Sequence, residues 1–111
     1  MIGDVADHDV IVVDDEIDTA GSASQAVNLA KANGARNIYL ISVHPVLSGD
    51  AVQRLAALPV KEIITTNTIP ILPEKCSPLK GKLTVLSIAP LLAEVIIRAH
   101  EGRSVGEMFD E

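Results

Sequence analysis

Val10-Ile11-Val12-Val13-Asp14-Asp15-Glu16-Ile17-Asp18-Thr19-Ala20-Gly21-Ser22 decides how this chain is read. Four apolar residues predict a buried strand ending at Val13, and an acidic pair stands where that strand is expected to stop. Small and hydroxylated residues follow at once, from Thr19 to Ser22, the makings of a turn that opens a helix. In open α/β sheets, ligands bind outside the carboxyl ends of the strands, so this run places chemistry where such folds keep it.

Working outward, three more apolar runs predict strands at Ile38 to Val43, Ile63 to Ile69 and Leu83 to Ile88. All four are continuous rather than alternating, as in parallel strands covered on both faces. A first helix is predicted from about Ser22 to Asn33, with Ala23, Val27 and Ala30 on one face and Gly34 as its stop. A second follows Ser48-Gly49-Asp50, with Val52, Leu55 and Ala56 inward and Pro59 just beyond. For the third, Pro90 suits the first turn, Leu92, Val95, Ile96 and Ala99 form a stripe expected to be buried, and Gly102 ends it. Pro70, Pro73 and Pro78 predict a loop with no long helix or central strand. The order β-α-β-α-β-β-α implies an α/β fold, a mostly parallel sheet with helices on both faces and right-handed crossovers. Only nine residues precede the first strand, which leads us to expect further strands upstream or an edge covered by another chain.

Composition narrows the classes. A chain of 111 residues with 48% apolar content is one domain with a modest core. Its net charge of −6 argues against nucleic acid. A small phosphorylated ligand is compatible with that charge, because backbone N–H groups hold phosphate without a basic patch. No apolar run is long enough for a membrane span and the N-terminus lacks signal-peptide character, so a cytoplasmic protein is expected. The single Cys76 forms no internal disulfide, and no His/Cys spacing implies zinc or another metal site.

The acidic pair and the turn divide a ligand between them. Two carboxylates accept hydrogen bonds from adjacent hydroxyls, as on a ribose ring. The turn's N–H groups and hydroxyls suit a phosphate. Carboxylate and phosphate repel, so they belong at opposite ends of one ligand. A purely structural alternative has Asp18 or Thr19 capping the helix, with Asp14 and Asp15 solvated.

This run closely resembles the phosphoribosyl-binding loop of type I phosphoribosyltransferases and PRPP synthetases (ribose-phosphate pyrophosphokinases). Gly3-Asp4-Val5, His44-Pro45-Val46-Leu47-Ser48-Gly49, Thr66-Asn67-Thr68-Ile69-Pro70, Ala89-Pro90-Leu91-Leu92-Ala93-Glu94, and Ser104-Val105 with Phe109 are similar to PRPP synthetases in particular. The resemblance covers essentially the whole chain and implies the C-terminal, type I phosphoribosyltransferase-like domain of such an enzyme.

By that resemblance the reaction is transfer of the diphosphoryl group of Mg-ATP to the C1 hydroxyl of ribose 5-phosphate, giving PRPP and AMP. Asp14 and Asp15 would hold the ribose hydroxyls, and Asp18, Thr19, Ala20, Gly21 and Ser22 the 5′-phosphate. Ser22 stands where the family usually has Thr, and Glu16 where an apolar residue is common. The resemblance assigns ATP, Mg2+ and the catalytic Lys and Arg to sequence upstream of these residues, with no direct metal ligand here. No Lys or Arg is expected near the acidic loop. The chain alone is therefore expected to be inactive, a ligand-binding part that forms homo-oligomers. Ser104, Val105, Gly106 and Phe109 resemble a contribution to a regulatory nucleotide site, with Gly106 replacing a common Ser; a tail packed through Val105 and Phe109 is the alternative.

Other residues carry less. His44 ends the second strand and reads as structural, flanked by Val43 and Pro45. His8, His100 and Cys76 have no companions, and Glu107, Asp110 and Glu111 read as a solvated end. A receiver domain fails because no later strand ends in the Asp and Lys that its chemistry needs. A non-catalytic regulatory homologue of PRPP synthetase and a type I phosphoribosyltransferase fragment both stay open.

Overall fold

Alternation governs the strands more strictly than their apolar runs imply. The computed structural model describes residues 3–109. It contains β1 (Val10–Ile17), α1 (Gly21–Ala32), β2 (Ile38–Pro45), α2 (Ala51–Ala57), β3 (Glu62–Thr66), a single turn α3 (Pro73–Cys76), β4 (Leu83–Leu86) and α4 (Ala89–Glu101), with 3-10 turns at Ser77–Leu79 and Gly106–Met108. The sheet order is β1-β2-β3-β4 and every pairing is parallel. The expected α/β order and parallel sheet therefore stand, and the Pro-rich segment holds only single turns.

Helical cover is uneven. Ile38, Leu40 and Ile63 point to one face, where Val27, Ala30, Leu55 and Leu79 close over them. Side chains one residue along point to the other face, so Ile11, Val13, Val43 and Leu86 are exposed. Within the core, Ser42 and Thr65 are the buried polar residues, and their hydroxyls lie 3.3 Å apart in a mutual hydrogen bond.

Helix starts and stops follow local chemistry. As expected, Ala23, Val27 and Ala30 are the buried face of α1, and Gly34 with φ 89° turns the chain away. In α2 the buried residues are Ala51, Val52 and Leu55, while Ala56 is exposed. Two strands stop earlier than their composition predicts. β3 ends at Thr66 because the Thr66 hydroxyl donates to the Val43 carbonyl and receives the Thr68 N–H, folding the chain into a turn before Pro70. β4 ends at Leu86, after which the Ile88 N–H donates to Asn67 Oδ1 instead of to a strand.

The largest correction concerns α4. It is helical over the expected span, begins with Pro90 in its first turn and ends at Gly102 with φ 70°. None of its residues is buried, and Ile96 is 67% exposed. Its apolar stripe has the right period, but Leu92, Ile96 and Ala99 are exposed and only Val95 of the stripe is half-buried. The radius of gyration, 16.5 Å, reflects this; a compact chain near this length has roughly 13 Å.

Candidate functional site

β1 does not stop at Val13. It continues to Ile17, pairing Asp14 with Ser42, Glu16 with His44 and Ile17 with Pro45. Because successive side chains alternate, extending the strand through the acidic residues splits the expected pair. Asp14 is half-buried and Asp15 exposed, and the Asp15 N–H donates to Asp14 Oδ1 at 2.8 Å.

A cavity of about 270 Å³ opens at this end of the sheet, lined by Asp14, Glu16 and every residue from Ile17 to Ala23. Asp18, Thr19, Ala20, Gly21 and Ser22 thus come together as the sequence predicts, with Asp14 beside them. Asp15 is outside the lining. Glu16 takes the second acidic place, and the two-residue spacing from Asp14 was the signal for it.

The turn into α1 has an unusual N-terminus. Its N-cap is Ala20, at φ 67° and ψ 16°, with no side-chain cap. Neither Asp18 nor Thr19 caps the helix, so the structural alternative for those residues fails. Ala20 is buried and sits in the left-handed region, which is disfavoured for any residue with a Cβ. Helix geometry leaves the first amides without intrahelical acceptors; the first recorded return bond is from the Ser24 N–H to the Ala20 carbonyl, 2.9 Å. Those amides and the positive end of the helix dipole offer an anion site beside an acidic wall.

The turn is held from behind by the segment between β2 and α2. Leu47 N–H donates to the Ile17 carbonyl at 2.9 Å and Ser48 N–H to the Asp18 carbonyl at 2.8 Å. Leu47, buried and at φ 55°, has its own carbonyl held by Lys75 Nζ at 3.0 Å. Arg54 Nη1 donates to the Thr19 carbonyl at 2.9 Å. That contact corrects the expectation that no Lys or Arg approaches the loop. No spacing signals it, since the partner is a backbone oxygen 35 residues away.

His44, at the end of β2, is exposed and meets Thr68. The single proton of the Thr68 hydroxyl goes to the Val43 carbonyl at 3.1 Å, so in the 2.8 Å contact with Thr68 Oγ1 it is His44 Nδ1 that donates. At the other end, the Ser104 carbonyl is held by Arg98 Nη1 at 2.8 Å, and Arg98 also pairs with Glu94 at 2.8 Å. Ser104, Val105, Gly106 and Phe109 do not line the β1–α1 cavity. Phe109 is 64% exposed, so it does not pack the tail. Glu107 lies within 3.5 Å of Arg98, while Asp110 and Glu111 fall outside the described residues. Among the described residues no cluster of His, Cys, Asp or Glu suits a metal ion, and no helix is long and apolar enough to cross a membrane.

Known proteins match nearly the whole chain. The family model described as phosphoribosyl synthetase-associated domain matches residues 1–110. A ribose-phosphate pyrophosphokinase of Oceanobacillus iheyensis is 44% identical over 110 residues, which cover 99% of this chain and 34% of that protein. One from Caldanaerobacter subterraneus subsp. tengcongensis is 48% identical over 109 residues, covering 98% and 34%. Among solved structures, phosphoribosylpyrophosphate synthetase from Mycobacterium smegmatis superposes with a TM-score of 0.84 at 46% identity, over 91% of this chain and 33% of that one. The chain spans about a third of the length of the relatives it matches.

Proposed function

The chain belongs to the phosphoribosyl synthetase-associated domain family, and from that premise we propose that it is the ribose-5-phosphate-binding part of a ribose-phosphate pyrophosphokinase. One observation carries the reading: a helix start without a cap faces the same cavity as the carboxylates at the end of β1.

In this reading the 5′-phosphate sits on the amides of Thr19 to Ala23, with the Thr19 and Ser22 hydroxyls as further donors. Asp14 accepts from a ribose hydroxyl inside the cavity, and Asp15 accepts from its neighbour at the rim. Glu16 adds a second carboxylate on the Asp14 side. The two ends fix the sugar, so that the C1 hydroxyl is presented to a nucleotide held elsewhere.

In the whole enzyme that hydroxyl oxygen attacks the β-phosphorus of ATP and AMP leaves. Such transfer depends on positioning and on cations that neutralise developing charge. The cavity lining contains no Lys or Arg. Among the described residues no group of His, Cys, Asp or Glu suits a metal ion, and it is the family resemblance that assigns Mg-ATP to the complete enzyme. This chain's share is to bind and orient the sugar phosphate. Exposed apolar residues on β1 and α4, including Val13 and Ile96, support self-association as well.

Calorimetric titration of the pure chain with ribose 5-phosphate, ribose and inorganic phosphate tests the reading. Saturable binding is expected for ribose 5-phosphate, weaker binding for phosphate, and none for ribose. A folded chain that binds neither phosphate compound would refute it.

A further inference from the structure

We infer that Arg54 is a positioning residue for the phosphate loop: by holding the Thr19 carbonyl, it aims the Ala20 amide into the β1–α1 cavity. This rests on the phosphate-binding reading for its functional consequence, though not for its geometry.

A trans peptide points its C=O and N–H in opposite directions, and no described peptide bond is cis. Leu47 N–H, Ser48 N–H and Arg54 Nη1 hold the carbonyls of Ile17, Asp18 and Thr19 in turn, at 2.9, 2.8 and 2.9 Å. Three successive carbonyls therefore face the β2–α2 segment. Their partner amides, on Asp18, Thr19 and Ala20, face away from it, and all three residues line the cavity. Successive amides pointing the same way make an anion-binding concavity, here continued by the free amides of α1.

The first two carbonyls are held by backbone groups that almost any sequence would supply. The third depends on one side chain. It is also the one under strain, since Ala20 follows it at φ 67°. Without Arg54, the Thr19–Ala20 peptide gains freedom to rotate. Rotation would withdraw an N–H from the cavity and turn a carbonyl oxygen toward it, replacing a donor with a partial negative charge beside Asp14, Glu16 and Asp18. Arg54 itself is exposed and is absent from the cavity lining. It therefore acts through the loop, and its charge offsets part of the acidic wall.

The test uses the full chain, 15N-labelled, as wild type, Arg54→Met, Arg54→Lys and the neighbouring Gln53→Ala, titrated with inorganic phosphate and with ribose 5-phosphate. Arg54→Met keeps the aliphatic stem and removes the donors, so it should fold. We expect it to weaken both ligands about tenfold, as for loss of one charge-assisted donor. Arg54→Lys should restore most of the affinity, and Gln53→Ala should have no effect. In the ligand-free protein the Ala20 amide resonance should move in Arg54→Met and largely return in Arg54→Lys. Equal binding by wild type and Arg54→Met would overturn the inference and leave the phosphate site standing. If the wild type binds neither compound, the phosphate reading fails, and the Ala20 resonance decides alone: unmoved in Arg54→Met, it overturns the inference.

Discussion

Replacing Gly21 with alanine should raise stability and lower ligand affinity together. Gly21 is the first residue of α1 and its φ lies outside the left-handed region, so the backbone there accepts an L-residue. A Cβ at that position meets Thr19 Oγ1 at 3.6 Å, ordinary van der Waals contact. Gly→Ala at a compatible position stabilises by about 0.4–1 kcal/mol, chiefly by restricting the unfolded chain. For a domain near this size that corresponds to a rise in Tm of roughly 2–6 °C. Yet Gly21 and Thr19 both line the cavity, so the added methyl stands where a phosphate would approach the Gly21 amide. Loss of one hydrogen bond to a charged group removes about 1.5–3 kcal/mol, which is roughly ten- to hundredfold in Kd. Thermal melts in phosphate-free buffer and calorimetric titration with ribose 5-phosphate measure the two effects. A fall in Tm would refute the backbone assignment at Gly21. An unchanged Kd would show that the anion does not use this wall.

Ala20→Val sets a β-branched residue at φ 67° in a buried site; it should destabilise by about 2–4 kcal/mol, read as the shift in denaturation midpoint. Ser42→Ala leaves the Thr65 hydroxyl buried without its partner and should destabilise by about 1–3 kcal/mol, whereas Ser42→Ala with Thr65→Val should recover part of that. Strict additivity in this double-mutant cycle would count against coupling through the hydroxyl pair. The hydrogen bond from the Arg36 guanidinium, and then that from Asn37, hold the Asp9 carboxyl below the ordinary range. Its folded value is depressed, so its contribution is present above the unfolded aspartate value of about 3.9 and is lost as pH falls through the lower folded value. Asp9→Asn should therefore flatten the acid limb of the stability curve; a uniform offset between the two curves at every pH would contradict this.

Apolar runs located all four strands, because each needs one buried row of side chains. They could not locate the strand ends, which depend on hydrogen bonds made by Thr66 and Asn67 beyond the apolar residues. The same limit explains the site. Asp14 and the turn from Asp18 to Ser22 were readable because a strand, small residues and a helix follow in order. Glu16 joins Asp14 in the cavity lining because strand pairing carries β1 past its apolar stretch into the acidic one. Arg54 was out of reach, since a side chain that binds a backbone carbonyl across the fold leaves no pattern in sequence. For α4 the period told of a helix with one apolar face and nothing of where that face is placed.

Each strand of the sheet lies beside its neighbour in sequence. Contact order is therefore low for a parallel sheet, and loop-closure entropy stays small at every step. Such a chain can assemble one strand-and-helix unit at a time, each docking on an edge already made. The longest register is between β1 and β2, the two strands that bracket the Asp18–Ser22 turn and α1. That pair is the expected folding nucleus, so the turn at the end of β1 should also be the last to open in native-state hydrogen exchange. α4, which has no buried residue, should open first.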